Sequence, residues 1–354
     1  MSPEVLVINP GSTSTKIAVW GDDGPIHQET ITHDPDQLAK FPRVVDQFDL
    51  RMQAVNQAVG DWLKQGKLAA VVGRGGPLRP LQGGTYSINE NMLADLTSAK
   101  YSNHASNLGA IIAHHISRML HIPSYIVDPV TVDEFSDYAR ISGVPEIQRK
   151  CRSHALNIKA TAREAAAMID KEVSETNFVV VHMGGGLSIC ALRGGFIIDV
   201  NDGLLGMGPF SPERAGALPI GALVKLCFSG EFTEEELIRK LSTGSGLKGY
   251  LGTPDCVEIE KQIEAGDDQA RLYYQAMLYQ IAKEIGAMAV VLKGNLDGIL
   301  LTGGMANSVY LTNTLKEYIS FLGEVIVIAG EREMEALASG AFRVLKGQEE
   351  ARTY

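Results

Sequence analysis

The stretch "VLVINPGSTSTKIAVW", residues 5–20, sets the first question. Two apolar runs, 5–8 and 17–20, flank a turn rich in hydroxyls that carries one lysine, Lys16. A Walker-type phosphate loop reads G-x-x-x-x-G-K-[ST] and opens a helix. This turn has no second glycine, and a β-like run follows it, so it is predicted to join two strands. Backbone N–H groups around Gly11 can form an anion nest, to which Ser12, Thr13 and Ser14 add hydroxyls and Lys16 adds charge. A plain β-hairpin turn needs nothing more than the same residues.

Two further stretches bear on that choice. In "VVVHMGGGLSICAL", residues 179–192, Gly184, Gly185 and Gly186 sit between apolar runs. Three glycines leave bare backbone that a phosphate can approach, or make a flexible hairpin. In "ILLTGGMANSVYLTNTLKEYI", residues 299–319, a strand, the pair Gly303-Gly304 and a helix follow one another. A turn of that kind can pack against a nucleoside. Strand–turn–strand near residue 11 thus recurs near residue 185. The expected fold is α/β and duplicated, with a cleft between the copies.

The remaining elements fit this plan. A helical pattern covers 36–64, a short buried strand 69–72, a helix 107–120 and a strand 124–127. The second half adds a helix over 155–170 and strands over 178–181, 187–192 and 196–200. Leu278, Ile281, Ile285, Met288 and Leu292 recur at steps of three and four, the mark of a long amphipathic helix. A strand over 297–301, another over 325–329 and a helix over 334–345 close the chain. Only the polar tail from Gly347 reads as unlikely to pack.

Composition narrows the function. The 354 residues are 45% hydrophobic and 21% charged, which suits two soluble globular domains. A net charge of −10 disfavours nucleic acid as a partner, so an anionic substrate needs positive charge local to its site. Four cysteines without a C-x-x-C pair read as reduced thiols. The opening residues lack a secretion signal, and no apolar run reaches the roughly 18–20 residues that span a bilayer. The expected location is cytoplasmic, away from membranes.

The three glycine or hydroxyl turns, in this order and in two half-repeats, resemble the phosphate-1, phosphate-2 and adenosine motifs of the superfamily of actin, sugar kinases and Hsp70. Within it the chain resembles the acetokinase family of acetate and butyrate kinases, the butyrate kinases being the nearer match. "INPGSTSTKIAV", "SNHASNLGAIIAH", "VDPVTVDE", "SHALNIKA", "HMGGGLS", "GMGPFSPERAG", "CFSGEFTEEEL", "YLGTPD" and "LTGGMAN" carry the likeness. It spans residues 5 to about 345. It implies two ribonuclease H-like (actin-like ATPase) domains with an interdomain active-site cleft. These would be 1–153 with 331–354, and 154–330, the latter holding the nucleotide site and an oligomer interface. The implied reaction is reversible, ATP- and Mg²⁺-dependent phosphorylation of a short-chain carboxylic acid, by a homodimer or higher homo-oligomer.

The resemblance also implies roles for single residues. Arg74 and Arg214 match the two active-site arginines, and Asp128 an active-site carboxylate. Glu333 matches the Mg²⁺-associated carboxylate, with Glu331 and Glu335 as neighbours of the same type, and Asn9 lies near metal and phosphate. Ser12, Thr13, Ser14, Lys16, His182, Gly184, Gly185, Gly186, Gly303, Gly304 and Asn307 fall on the ATP and phosphate motifs. His104 matches a substrate-site histidine, and His154 the second histidine of the acetate kinase "FHGTSH" segment. Each of these also has an ordinary structural reading as a loop arginine, a capping or core histidine, or an acidic helix start.

Three positions depart from acetate kinases. Lys150 stands where the first histidine of "FHGTSH" would be, as a possible substitute cation. Gly185 replaces an asparagine. Gly76 replaces a valine of the acyl pocket, which predicts room for a longer chain such as butyrate or isobutyrate. An acetate or propionate kinase is the alternative. A sugar kinase with Asp128 as base would not need two arginines, and a nucleotide switch would need partner-binding insertions that the chain has no room for.

Overall fold

β1 (Glu4–Pro10) and β2 (Ser14–Gly21) form an antiparallel pair in which Ile8 faces Ile17 and Asn9 faces Lys16. β3 (Gly24–Thr32) extends it on the outer side. The sequence reading assigned no strand there, because most of "GPIHQETIT" is exposed and shows no apolar alternation. α1 (Pro35–Leu38), a 3₁₀ turn at Val44–Gln47 and α2 (Phe48–Gln65) follow. The single helix expected over 36–64 is therefore broken. Pro42 disfavours helical backbone at Phe41 and offers no N–H of its own. α2 stops at Gly66, whose φ of 67° is the left-handed cap conformation.

β4 (Leu68–Arg74) lies parallel to β1. β5 (Thr85–Ser87), α3 (Glu90–Thr97) and α4 (Asn107–Leu120) lead to β6 (Ser124–Val127), which lies parallel to β4. A parallel neighbour needs a long crossover, and α3 and α4 supply it. Leu108, Ile112 and Ile116 of α4 are fully buried and pack with Leu6, Ile8, Ile17 and Val71 of the strands.

The next stretch repeats the plan. α5 (Asp137–Arg140) and α6 (Ala155–Met168) precede β7 (Asn177–Met183), β8 (Leu187–Arg193) and β9 (Phe196–Val200). α7 (Ile220–Cys227), α8 (Glu234–Thr243), α9 (Gly246–Leu251), α10 (Cys256–Glu264) and the long α11 (Asp268–Val291) come before β10 (Gly298–Gly303). α12 (Val309–Ile319) then crosses to β11 (Val325–Ala329). On α11, Tyr274, Met277, Leu278, Ile281, Ile285 and Met288 form the buried stripe that its spacing predicts.

The chain ends with α13 (Glu333–Leu345) and β12 (Arg352–Thr353), which pairs with β5. The tail from Gly347, expected to stay loose, is in fact tied down. Glu349 accepts a 2.6 Å bond from the Thr85 N–H and a 2.7 Å bond from Arg343 Nε. Tyr354 donates to Asp95 at 2.8 Å, and the Arg79 guanidinium lies 4.5 Å from its ring centre. These partners are remote in sequence, so a short polar segment gives no local sign of them.

The structure describes residues 3–354. They divide into one unit formed by the chain up to Val132 with Arg332–Tyr354, and a second formed by Asp133–Glu331. The first sheet runs β12-β5-β6-β4-β1-β2-β3 and the second β11-β10-β7-β8-β9. Within them β6-β4-β1-β2-β3 and β11-β10-β7-β8-β9 share order and direction: three antiparallel strands, then two parallel ones. This is the duplicated, ribonuclease H-like α/β architecture. Among the described residues no helix is long and apolar enough to cross a membrane.

Candidate functional site

In the first unit the carboxyl ends of three parallel strands lie side by side. In register, Ile8 of β1 faces Gly73 of β4, and Arg74 faces Val127 of β6. Asn9, Arg74 and Asp128 therefore fall at one end of the sheet, where open α/β sheets hold their ligands. Glu333, the first residue of α13, joins them. Its Oε2 accepts a 2.8 Å bond from Asn9 Nδ2, and its Oε1 lies 2.9 Å from Arg74 Nη1. The Arg74 and Glu333 side chains are only 10% and 26% exposed, so the pair is well shielded from water. Lys16 is the cross-strand neighbour of Asn9. Asp128 is fully buried at φ 39°, a strained backbone for a residue with a Cβ, and accepts a 2.7 Å bond from the Gly84 N–H. Glu335 instead lies 3.4 Å from Arg332 on the surface.

The turn between β1 and β2 keeps Ser12 and Thr13 exposed, with Ser14 and Lys16 half-buried. The Gly11 N–H bonds the Ser14 carbonyl at 2.8 Å and closes the turn. His104 meets solvent over much of its surface and bonds Ser106 through Nδ1 at 2.9 Å. The protein around its ring and, secondly, the charge of Arg74 lower its pKa. The imidazole is thereby biased to its neutral form at neutral pH.

Gly76 requires a correction. The sequence reading took its missing side chain as space for a longer acyl chain. A Cβ at Gly76 would overlap Asn107 Oδ1 and lie 2.9 Å from the Asn107 Cα and N. Asn107 itself is fully buried, donating to the Leu96 and Ser102 carbonyls at 3.2 and 2.9 Å. The volume is filled by the start of α4, so Gly76 permits a close approach of chain segments and opens no pocket at that point.

The second unit builds the matching corner from β7, β8 and β10. His182 faces Ser188 across β7–β8 and Thr302 across β7–β10. It is 2% exposed, and its Nδ1 lies 2.9 Å from Asn157 Nδ2. The amide nitrogen can only donate, which makes Nδ1 the acceptor and leaves the proton on Nε2. Asn157 also bonds Thr302 at 3.2 Å. The His154 ring stacks on that of His182, with centres 4.0 Å apart, and bonds Ser188 at 2.9 Å. Gly303, at φ 88°, lets the end of β10 approach the Met183 backbone, while Gly304 faces open space. Asn307 folds back onto the Gly304 carbonyl at 2.9 Å.

Arg214 lies over Gly186 and bonds the Gly203 carbonyl. Burial lowers its pKa, with Glu213 and Asp202 opposing, and the group stays protonated at neutral pH. A Cβ at Gly186 would overlap the end of the Arg214 side chain, which can move, and would lie 3.2 Å from the Gly203 carbonyl oxygen. Gly186→Ala is therefore expected to keep the fold, with Tm within about 3 °C, and to displace Arg214. Turnover should fall as far as in Arg214→Ala, and the double variant should be no worse than either single one. Additive losses in that cycle would show that the two residues act separately.

One residue of these corners, Asn157, has no role assigned to it in the sequence. Asn157 orients His182 from the first turn of α6, inside "SHALNIKA", a stretch in which the resemblance gives a role to His154 alone. Glu331 reaches the glycine turn of its own unit, its Oε1 lying 3.9 Å from the position a Gly184 Cβ would take. Lys150 is exposed and takes no part in the contacts described for this corner. Its segment reaches the corner through the backbone of Arg152, whose carbonyl accepts the Gly203 N–H at 3.0 Å, while the Arg152 Nη1 lies 3.6 Å from Asp202.

The acetokinase family model matches residues 145–343, more than half of the sequence. The chain belongs to the acetokinase family. This acetokinase is similar in fold to acetate kinase from Porphyromonas gingivalis, with 19% identity, coverage of 97% of this chain and 100% of that one, and a TM-score of 0.79. Acetate kinase from Entamoeba histolytica matches at 20% identity over 96% of this chain and 98% of that one, with a TM-score of 0.75. A propionate kinase from Francisella tularensis matches at 19% identity over 96% and 98%, with a TM-score of 0.73. At such identities the likeness speaks for the fold.

Proposed function

We propose that this acetokinase transfers the terminal phosphoryl group of ATP to a short-chain carboxylic acid, and that butyrate or isobutyrate is its preferred acceptor. The observation that carries the reaction class is the Asn9–Glu333–Arg74 group at the strand ends of the first unit. It holds a shielded guanidinium ready for an anion, beside a carboxylate suited to a metal. A free carboxylic acid has a pKa of roughly 4–5, so the acceptor is already ionised at neutral pH. No general base is needed. The difficulty is repulsion between two anions, and positive charge held in place relieves it.

In this reading Arg74 orients the acid carboxylate through its planar fork, and His104 lies beside it. A carboxylate oxygen forms the new bond to phosphorus as the bond to the ADP oxygen breaks. Arg214, the His182 Nε2–H and the backbone of Gly184, Gly185 and Gly186 take up charge on the phosphoryl oxygens. Ser12, Thr13, Ser14 and Lys16 hold the polyphosphate, while Gly303, Gly304 and Asn307 receive the nucleoside. Asp128 acts from its buried, strained position on the groups at the end of β6.

Among the described residues no three His, Cys, Asp or Glu side chains gather as a metal cage. One carboxylate, Glu333, with the carbonyl oxygen of Asn9 still available, fits Mg²⁺, which completes its shell from phosphate oxygens and water. When bound, the ion neutralises polyphosphate charge.

The preference for a four-carbon acid rests on the motif likeness alone, now that Asn107 fills the space counted for it. That finding keeps acetate or propionate as a second reading. One methylene is worth about 1–3 kcal/mol, so a graded profile is expected. The test traps acyl phosphate as hydroxamate with Mg-ATP and acetate, propionate, butyrate, isobutyrate or valerate. A kcat/KM maximum at butyrate or isobutyrate supports the preference, and a maximum at acetate replaces it. No product from any acid would remove the carboxylate kinase reading.

A homo-oligomer belongs to the same proposal. Ile220 and Val224 of α7 and Phe228, which follows its last residue, are 77%, 49% and 87% exposed, and α7 buries none of its residues. A second copy of this chain is the proposed cover. Sedimentation at micromolar concentration should give a dimer or larger, and a monomer would exclude it.

A further inference from the structure

Arg51 of α2 heads the large side chains that are fully withdrawn from solvent, and it is a cation. It lies beneath the turn between β1 and β2. Its Nη1 donates to the Ser14 carbonyl at 2.8 Å and to Thr15 Oγ1 at 3.1 Å. Its Nη2 donates to the Ser12 carbonyl at 3.2 Å and to Gln47 Oε1 at 3.0 Å, and its Nε donates to the same Gln47 oxygen at 3.1 Å. Every one of these acceptors is neutral.

A buried guanidinium is costly, and proteins usually offset it with a carboxylate. The position one helical turn back would suit one, since Gln47 already takes two bonds there and is 7% exposed. The chain places an amide in it. The other titratable neighbour is His33, whose Nε2 lies 2.8 Å from Thr15 Oγ1 and whose pKa is lowered by burial and by the charge of Arg51. His33 is thereby biased to its neutral form, and an imidazole supplies no negative charge in either form. Burial brings the Arg51 pKa to about 10, and the group is still protonated at neutral pH. A full positive charge thus stands uncompensated under this turn.

Its hydrogen bonds also orient the turn. In a trans peptide the N–H points away from the carbonyl. With the Ser12 carbonyl drawn inward to Arg51, the Thr13 N–H is turned to the exposed side, where Ser12 and Thr13 themselves lie. We propose that Arg51 is a positioning residue for the polyphosphate of the nucleotide: it presents the turn with donors outward and draws the anion with a charge left unpaired by Gln47. The proposal rests on the ATP-dependent reading above.

Gln47→Glu separates this role from a merely structural one. It keeps the two-bond acceptor and supplies the missing counter-charge. A structural clamp would gain or hold stability and bind ligands as before. Calorimetric titration of ADP, tripolyphosphate and adenosine, with thermal melts, reads the difference. The expected result is a Tm at or above wild type, with ADP and tripolyphosphate both weakened roughly tenfold and adenosine unchanged. ADP affinity within twofold of wild type would overturn the proposal. Should Gln47→Glu not fold, Arg51→Lys and Arg51→Gln take its place. Both lose the fork contacts, and only Lys keeps the charge, so Lys should bind tripolyphosphate at least fivefold more tightly. Equal affinities would overturn the proposal. A wild-type protein that binds neither ADP nor tripolyphosphate would overturn the kinase reading, and this inference with it.

Discussion

Arg74→Ala is expected to lower kcat/KM for the acid by roughly 10²–10³-fold, with a Tm change of only a few degrees. The guanidinium is held by Glu333 and sits at the end of β4, so its direction is set before any ligand arrives. Removing it deletes the proposed fork on the substrate carboxylate. It also takes from the half-buried Glu333 its Arg74 ion-pair partner, which accounts for the loss of stability. Arg74→Lys should recover little, because an ammonium cannot reproduce the two parallel bonds of the fork. Steady-state kinetics with the best acid, paired with melting curves, decides the matter. A loss of less than tenfold would remove Arg74 from the substrate site and leave it as a strut for α13.

The second large effect is structural. Gly73→Ala and Gly109→Ala should each destabilise the first unit by about 3 kcal/mol or more. A Cβ at Gly73 would overlap the Gly109 carbonyl, and one at Gly109 would overlap the backbone of Arg74. Backbone cannot rotate aside as a side chain can, so β4 and α4 would have to separate. The fully buried Leu108, Ala110 and Ile112 of α4 would lose their contacts with the sheet. Arg74 would move with the strand, so activity should fall alongside stability. Urea unfolding of both variants tests this. A change below about 1 kcal/mol would mean that the helix can shift at little cost.

These two effects show where sequence patterns carry information. The elements were legible where their signal is local. The apolar runs on either side of the Gly11 and Gly184 turns identified β1, β2, β7 and β8, and their recurrence pointed to the duplication. The three-and-four spacing on α11 marked its buried stripe. β3 was missed because an exposed edge strand has no buried face to leave an alternation. The 36–64 stretch was read as one helix because its composition suits helix while Pro42 interrupts it.

Residue identity and motif order in the sequence determined the α/β duplication and the three glycine or hydroxyl turns. Those features depend on periods of two or 3.6 residues and on short-range turn chemistry. Only the tertiary structure decided which of Glu331, Glu333 and Glu335 meets Arg74, that Asn107 occupies the space above Gly76, that the Arg152 carbonyl meets Gly203, and that Arg51 lies beneath the first turn on neutral acceptors. Each of these is set by strand register and by close approach between segments distant in the chain. A side chain's partners there come from elements that its own neighbourhood in sequence does not encode.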